Sequence, residues 1–238
     1  MALSEQQGLA ALNEGAIGHE RNGRESVNTN QYYQHGREEM LRFVPSGATT
    51  ILDIGCGAGE FGRILKTRRG SEVWGVELVP EVASVAAGKL DRVFAGNIET
   101  GEITLPDGYF DCVICNDVLE HMVDPWRVLS MLRSKLRANG VVVSSIPNIR
   151  YFQILKDLVV RKKWEYKDNG VLDRTHLRFF TVNGVRDLFE TSGYQVVTLE
   201  GIDKCDFSWK FKLLNGMLLN RLDDTRYSKF VCVARANV

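Results

Sequence analysis

The sequence predicts an α/β protein built on a mostly parallel β-sheet, and three observations support this class. An apolar run that ends at Ile54 is followed by closely spaced glycines and then by a helical stretch from Glu60. Further along the chain, short apolar runs alternate with amphipathic helical stretches, which is the pattern of strand–helix–strand units. Hydrophobic residues make up 44% of the 238 residues, which is ample for a core.

Five strands and their connecting helices are predicted in the first part of the chain. The strands are expected at 49–54, 72–77, 92–95, 110–115 and 141–146, and the helices at 60–66, at 80–87 and from 125 to a stop at 139–140. Another helix is expected from residue 30 towards Pro45. Pro80 and Pro125 suit the first turns of their helices, and Asp124 is a suitable N-cap before Pro125.

The last third of the chain is predicted to hold three helical stretches and two final strands. The helices are expected at 151–160, at 182–191 and within 207–219, and the strands at 194–199 and 230–234. Thr181 caps the second of these helices, and Gly193 ends it. In the stretch 207–219, apolar residues alternate with lysines. It could therefore be a lid, a subunit contact in a homodimer or a face that touches a membrane surface.

Charge and composition exclude several classes of function. Lys plus Arg and Asp plus Glu both total 30, so the net charge is zero, which argues against general nucleic-acid binding. We find no apolar run long enough to span a membrane and no secretory signal, so a cytoplasmic location is expected. Cys112 and Cys115 stand three apart in a predicted strand and point to opposite faces, so we predict core residues rather than a chelating pair. Residues 1–30 are expected to be mobile.

The glycine-rich loop after the first strand indicates a nucleotide-like cofactor. Gly55, Gly57 and Gly59 permit positive φ and let a ligand approach the backbone, and the following helix start offers free N–H groups to an anion. The loop is spaced G-x-G-x-G, since Glu60 stands where a dinucleotide fingerprint has its third glycine. Glu77 ends the second strand, where a carboxylate can bind ribose hydroxyls.

Asp53, the three glycines and Glu77 together resemble the first two motifs of class I S-adenosylmethionine-dependent methyltransferases, over roughly residues 32–234. The resemblance implies S-adenosylmethionine as the cofactor. It also implies a Rossmann-like, seven-stranded, mostly parallel sheet with helices on both faces and a reversed final hairpin. The methyltransferase domain would occupy 31–238, with substrate flaps or lids at 147–181 and 203–228.

The resemblance also implies a set of cofactor contacts at the carboxyl ends of the strands. They are Tyr33, Arg37, Asp53, Gly55, Cys56, Gly57, Gly59, Glu77, Leu78, Asn97, Ile98 and Asn116. Tyr33 and Arg37 share a helix face that would meet the methionine carboxylate, although packing and a solvated charge are the alternative. Asn97 can donate to and accept from an adenine edge, or it can simply form a turn after Gly96.

His121 is the predicted general base, because it follows the fourth strand and imidazole titrates near neutrality. The alternative is a structural or substrate-contacting histidine. Asp117, Glu120, His121 and the later His176 could instead bind a divalent ion, since two carboxylates and two imidazoles suit one. Alternatively, Glu120 and His121 pack or hydrogen-bond locally. The site predicted first contains no metal.

The E-H pair and the later R-x-H resemble small-RNA 3′-end 2′-O-methyltransferases, whose E-x-x-E-H and later histidine bind a divalent ion. The L-E-H pattern is also similar to ubiquinone-pathway O-methyltransferases. A metal-dependent enzyme acting on RNA is therefore one alternative function. A catalytically silent cofactor-binding protein is another.

The pattern as a whole resembles bacterial methyltransferases found beside glycosyltransferases in cell-surface polysaccharide pathways. It combines a Y-Y…R helix, D-I-G-C-G-A-G, L-E-H…D-P, I-P-N and D-R-T-H-L-R-F-F-T at 173–181. His176 and Arg178 are candidates for binding a sugar or phosphate, or for a buried ion network that fixes the flap. The expected acceptor is an oxygen or nitrogen of a small molecule or glycan.

Overall fold

The computed structural model describes residues 37–237, and they form a seven-stranded sheet in the order β3-β2-β1-β4-β5-β7-β6. The strands are β1 (Thr50–Ile54), β2 (Glu72–Glu77), β3 (Arg92–Ala95), β4 (Phe110–Asn116), β5 (Leu136–Pro147), β6 (Tyr194–Lys204) and β7 (Tyr227–Ala236). The first five strands are parallel, and β7 runs antiparallel to both β5 and β6. The predicted sheet with its reversed hairpin is confirmed.

Six α-helices and four short 3₁₀ helices connect the strands of the described part of the chain. The α-helices are α1 (Glu60–Arg69), α2 (Pro80–Ala87), α3 (Pro125–Arg133), α4 (Phe152–Val159), α5 (Val182–Thr191) and α6 (Trp209–Met217). The 3₁₀ helices are Glu38–Phe43, Ile98–Thr100, Leu119–His121 and Asp223–Arg226. The predicted caps are in place, since Asp124 accepts from the N–H of Arg127 and Thr181 from that of Gly184.

Each face of the sheet buries its own apolar cluster, so helices are needed on both. One cluster joins Leu52 and Val113 to α3 and α5, and the other joins Ile51 and Ile114 to α1 and α2. Burial on both faces explains why these strands are apolar runs rather than alternating ones.

Cys112 and Cys115 follow the same division between the two faces of the sheet. Cys115 belongs to the first cluster and Cys112 to the second, so they do point to opposite faces as predicted. Both are fully buried and free, as are the chain's other buried cysteines. No helix within residues 37–237 has the length and apolarity needed to cross a membrane.

The predicted end of α3 is wrong. The helix ends at Arg133, and β5 begins at Leu136, where the chain pairs with Phe110 of β4. Leu136 is buried by this pairing, so its helical spacing from Leu132 is overridden by the sheet. Asn139 has φ 69° and lies at an irregularity in β5, where it does not end a helix.

Other boundaries differ at the two ends of the described chain. The final hairpin extends several residues beyond prediction, so the proposed insertion 203–228 begins and ends within strands. Of the helix expected from residue 30, the described part is a 3₁₀ helix that begins at Glu38. The prediction for Tyr33 and the mobility predicted for residues 1–30 lie outside the described residues.

Candidate active site

The loop after β1 has the backbone that its glycines predict. Gly55, Gly57 and Gly59 have φ of 67°, 54° and 78°, which side chains other than glycine adopt reluctantly. A Cβ at Gly55 would also collide with the side chain of Val118, which follows β4. Glycine is therefore required at this position both by backbone conformation and by close packing.

Glu77 is fixed against this loop by backbone groups. Its Oε2 accepts from the N–H of Gly57 at 2.9 Å and its Oε1 from the N–H of Val79 at 3.0 Å. The residue is only 6% exposed. Each oxygen keeps a second lone pair, so the carboxylate can still accept hydrogen bonds from two ribose hydroxyls. The next residue, Leu78, is 63% exposed and leaves an apolar surface beside it.

Asn97 and Ile98 differ in what they can offer to a ligand. Asn97 is exposed, and its Oδ1 caps the following 3₁₀ helix by accepting from the N–H of Glu99 at 2.8 Å. The turn role considered for it is therefore present, and its amide NH₂ remains for another contact. Ile98 is 6% exposed and packs in the core, so only its backbone can face a ligand.

Asp53 and Cys56 lie beneath the loop rather than on its surface. Burial of Asp53 raises the pKa of its carboxyl to about 7; the neighbouring charge of Glu77 adds to the shift and Arg37 opposes it. Cys56 is 7% exposed and its sulfur lies against Gly75, where a side chain at 75 would clash. The Cys56 side chain is thus a packing group.

Arg37 and Asp117 form the centre of a charged cluster at the ends of β4, β5 and β7. The Arg37 guanidinium pairs with Asp117 and donates to Ser145 Oγ. Lys229 Nζ lies 2.8 Å from Asp117 Oδ2, and Ser145 Oγ donates to Asp117 Oδ1 at 3.1 Å. Burial opposes the shift, but Lys229 and Arg37 hold the pKa of Asp117 below its usual range.

Because Asp117 belongs to this cluster, it is removed from the set of metal ligands considered from the sequence. The ligating atoms of Glu120, His121 and His176 lie within 4.8 Å of one another, and Asp117 is not in that group. Asp117 has φ 51°, and its carboxylate is bound by two cations and a hydroxyl instead. The short spacing between Asp117 and Glu120 suggests from sequence that they share a metal site. In the structure, Asp117 has a left-handed backbone, and its carboxylate lies in a separate cluster with Arg37 and Lys229.

Glu120 is the most unusual carboxylate of the site. It is 1% exposed, and neither of its oxygens has a hydrogen-bond partner within residues 37–237. Burial, followed by the nearby charge of Asp117, raises the pKa of Glu120 well above its ordinary value. Its nearest cationic candidate is His176, whose Nε2 lies 3.9 Å from Oε1. A buried carboxylate without partners is costly unless a proton or a cation joins it.

Backbone carbonyls set the tautomers of both histidines. His176 Nδ1 lies 3.1 Å from Val171 O, and His121 Nδ1 lies 3.3 Å from Thr175 O. A carbonyl oxygen only accepts, and the Thr175 hydroxyl, 3.1 Å from His121 Nδ1, already donates to Asp173 Oδ1 at 2.6 Å. Each Nδ1 therefore carries hydrogen, and each neutral ring keeps its lone pair on Nε2. The rings meet edge to face with centroids 4.6 Å apart. Burial and the proximity of His176 lower the pKa of His121, which favours the neutral ring.

The segment 173–178 is docked on the 3₁₀ turn that carries Glu120. The N–H groups of Leu177 and Arg178 both donate to the carbonyl of Glu120, at 2.8 and 3.0 Å. The Arg178 side chain donates to the carbonyls of Val123 and Leu177. In this structure, the Arg178 side chain thus binds backbone carbonyls and helps to hold the segment 173–178 against this turn.

Asn116 and three residues that the sequence did not single out complete the site. Asn116 ends β4, and its Oδ1 is buried without a partner among the described residues. Ser145, Lys229 and Thr175 hold Arg37, Asp117 and His121 in place. Lys229 pairs with Pro147 at the end of β5, because β7 runs antiparallel to β5. From the sequence, only the predicted reversal of β7 could have indicated that Lys229 lies at this edge.

Comparison with known proteins places this architecture in a family. A family model described as a methyltransferase domain matches residues 25–199. The ubiquinone biosynthesis O-methyltransferase of Aeromonas salmonicida is 29% identical over 172 residues, which cover 68% of this chain and 70% of that protein. An uncharacterized methyltransferase of Mycobacterium sp. (strain KMS) is 36% identical over 101 residues, or 42% of this chain. The chain spans only 39% of the length of that relative.

Solved structures share the fold at low sequence identity. A SAM-dependent methyltransferase from Archaeoglobus fulgidus has a TM-score of 0.64 at 21% identity, covering 87% of this chain and 94% of that one. The [4+2]-cyclase SpnF has a TM-score of 0.57 at 16% identity, covering 94% of this chain and 88% of that one. Because a cyclase has the same fold, the chemistry must be argued from side chains.

Proposed function

The chain belongs to the methyltransferase domain family as an S-adenosylmethionine-dependent enzyme, and we propose that it methylates a hydroxyl oxygen of a small molecule or glycan. One observation carries the choice of a hydroxyl. His121 is held as a neutral imidazole with its free Nε2 just beyond β4, at the sheet edge that also holds the glycine loop and Glu77. A hydroxyl must lose its proton during methyl transfer, and a neutral imidazole can take it.

The proposed reaction is an in-line displacement at the methyl carbon. When bound, S-adenosylmethionine would supply the methyl group, which would pass from its sulfur to the acceptor oxygen, while His121 Nε2 would take the hydroxyl proton. The sulfonium carries its own activation, so the protein mainly has to hold donor and acceptor in line. S-adenosylhomocysteine leaves, and His121 returns its proton to solvent.

The proposed donor site uses groups that the structure already holds in position. Glu77 would bind the ribose hydroxyls, Asn97 the adenine edge, and the loop at 55–59 would lie against the cofactor. Arg37 would bind the methionine carboxylate. Since Asp117 also has Lys229 as a partner, its charge would stay compensated if Arg37 turned towards the cofactor.

Two exposed aromatic rings beside the histidines support a ring-shaped acceptor such as a sugar. Trp164 and Phe179 are 40% and 36% exposed, with ring centroids 5.7 Å apart. Phe179 in turn lies 6.4 Å from the His176 ring. Flat apolar faces with polar groups beside them suit a sugar ring, which has apolar and hydroxyl-bearing surfaces. The resemblance to methyltransferases of polysaccharide pathways supports the same acceptor class.

A second candidate is a metal-dependent 2′-O-methyltransferase, and the unpartnered carboxylate of Glu120 favours it. Glu120, His121 Nε2 and His176 Nε2 would hold a divalent ion, and the carbonyls of Val171 and Thr175 would orient the two rings from behind. Such an ion would bind an acceptor with two neighbouring hydroxyls, as at the 3′ end of an RNA. His121 would then be a ligand instead of a base.

Titration calorimetry with S-adenosylhomocysteine tests the cofactor, and a panel of nucleotide sugars and glycans tests the acceptor. The proposal expects micromolar binding and methylated product on a sugar hydroxyl. Absence of binding would reject the cofactor site.

The same assay separates the two candidates. Activity that survives dialysis against a chelator supports His121 as a base. Activity lost to the chelator and restored by Mn²⁺ or Zn²⁺, with cofactor binding unchanged, supports the metal site. Glu120→Gln is the matched variant, because it abolishes only a metal-dependent reaction.

A further inference from the structure

Helices α4 and α6 form a paired surface element at the same sheet edge as the active site. β5 and β6 both run antiparallel to β7, so their carboxyl ends lie at one edge, from which the two helices leave. The helices pack through aromatic rings, since the Phe152 ring lies 4.7 Å from that of Phe211 and 5.7 Å from that of Phe207.

The outer side of α6 is an exposed apolar stripe. Trp209, Leu213 and Met217 follow one another at intervals of four residues and are 71%, 62% and 68% exposed. The inner side is different, because Phe211 packs on Phe152 and Asn215 is 4% exposed. The stripe is therefore not the face that the helix uses to join the core.

Neighbouring residues extend this apolar surface. Val159 and Val160 at the end of α4 are 73% and 72% exposed, and Leu219 after α6 is 79% exposed. Apolar side chains exposed singly are ordinary, but a set grouped on two adjoining elements indicates an interaction surface.

Basic residues accompany the exposed apolar groups. Residues 150–167 and 207–221 contain nine Lys or Arg and two Asp or Glu, whereas the whole chain has zero net charge. At about 100° per residue, Lys210 and Lys212 lie on opposite sides of the apolar stripe of α6. Arg161 and Lys163 pair with Asp157 and Glu165, but within residues 37–237 Lys210 and Lys212 form no ion pair with a carboxylate. Lys210 lies over the Trp209 ring.

We propose that this face, defined by the outer stripe of α6, the end of α4 and their basic residues, binds the surface of an anionic lipid bilayer. Apolar side chains would enter the headgroup region while the flanking lysines reach the anionic groups beside them. The positive charge of the lysines favours an anionic bilayer as the partner of this face, because a purely apolar partner would leave the ammonium groups unpaired at its edge.

The location of the face has a consequence for the substrate, which rests on the proposed methyl transfer. Face and active site share one edge of the sheet, so an enzyme seated on a bilayer would present its site to an acceptor attached to a lipid. Lipid binding itself does not depend on that activity and can be measured separately.

The test is flotation of the full chain with vesicles of phosphatidylcholine alone or mixed with phosphatidylglycerol. The wild-type protein is expected to float only with the anionic vesicles, and less at high salt. The double variant Leu213→Glu/Met217→Glu is expected to lose binding by at least about tenfold. Lys210→Gln/Lys212→Gln is expected to weaken binding to the anionic vesicles selectively.

Val85→Glu is the matched control, since Val85 is 53% exposed on α2, away from this face. It should float as the wild type does. Calorimetry with S-adenosylhomocysteine and a thermal melt on every variant show whether the protein is folded and the donor site intact. Thus, loss of flotation with unchanged cofactor binding concerns the lipid surface alone.

Three results would overturn the proposal. The first is no flotation of wild-type protein with either vesicle, and the second is flotation of Leu213→Glu/Met217→Glu equal to that of wild type. The third is a wild-type dimer by light scattering that the double variant converts to a monomer while lipid binding is absent, because the face would then hold a second copy of the chain.

Discussion

The proposed donor and acceptor sides of the sheet edge are built by different means. On the donor side, the glycine loop and Glu77 are joined by a hydrogen bond between residues 20 apart in sequence. On the acceptor side, His121 contacts Thr175 across 54 residues, and Arg178 contacts Val123 across 55. The donor side is thus a local motif, whereas the acceptor side is an assembly of distant side chains.

This difference explains why only one side can be described from sequence in detail. Positive φ at Gly55, Gly57 and Gly59 is a property of glycine itself, so the spacing alone predicts the loop. The contacts of His121 and Glu120 depend on how the segment 173–178 folds back onto the turn after β4. The donor side should therefore tolerate little change in backbone, and the acceptor side little change in side-chain chemistry.

The largest expected effect is on the acceptor side. His121→Ala should lower kcat by about 10²–10⁴-fold if His121 removes the acceptor proton. Binding of S-adenosylhomocysteine should stay unchanged, because no contact of His121 with the donor loop is present among the described hydrogen bonds. Steady-state kinetics and calorimetry measure both. A variant that turns over at the wild-type rate would remove His121 from the chemistry.

A donor-side variant should show the reverse behaviour. Glu77→Ala should weaken S-adenosylmethionine binding by about 1–3 kcal/mol, because the ribose hydroxyls lose a charged acceptor and the N–H of Gly57 loses its partner. Calorimetry measures this loss directly. Glu81→Ala on the exposed side of α2 is the matched control and should bind as wild type does. Equal affinity of Glu77→Ala and wild type would contradict the ribose assignment.

The fold follows from the sequence more closely than the site does. Strands β2 and β3 and helix α2 have the predicted bounds, because apolar runs, Pro80 and the following glycines mark them locally. The predicted end of α3 is wrong, because Leu136 fits a helical period and a strand equally well. Pairing with Phe110 places Leu136 in β5. Likewise, Asp117 was placed beside Glu120 by spacing, whereas Arg37 and Lys229 bind it in the fold.

Asp53 offers a pH test at the boundary between the two sides. Its pKa of about 7 lies above the 3.8 of the free side chain, so the folded state favours the protonated form. The stability contribution of Asp53 is therefore complete below about pH 4 and is lost as pH rises towards 7. The Asp53→Asn variant should not show this loss of stability, because an asparagine side chain does not titrate in this range. The difference in unfolding free energy between variant and wild type should change by at most about 1.4 kcal/mol per pH unit in that window.

Denaturant titrations of wild type and Asp53→Asn between pH 4 and 7.5 measure this difference. The same shift should appear in binding of S-adenosylmethionine, because a cationic cofactor at the proposed donor site would favour the ionised carboxylate of Asp53 and release a proton below pH 7. Parallel stability profiles for the two proteins would show that Asp53 is ionised throughout this pH range, which would contradict the raised pKa.

The smallest expected effect comes from Thr175, which acts on the acceptor side only through His121. Thr175→Val removes the hydroxyl that lies 3.1 Å from His121 Nδ1 but keeps the carbonyl that fixes the tautomer. Loss of the hydrogen bond to His121, at about 0.5–1.5 kcal/mol, predicts a two- to tenfold fall in kcat, with KM for the donor unchanged. The same hydroxyl also donates to Asp173 Oδ1 at 2.6 Å, and the variant loses that bond too. Thr175→Ser should restore the rate, because it returns the hydroxyl. If the valine and serine variants have the same kcat, Thr175 contributes to the packing of segment 173–178 and does not orient His121.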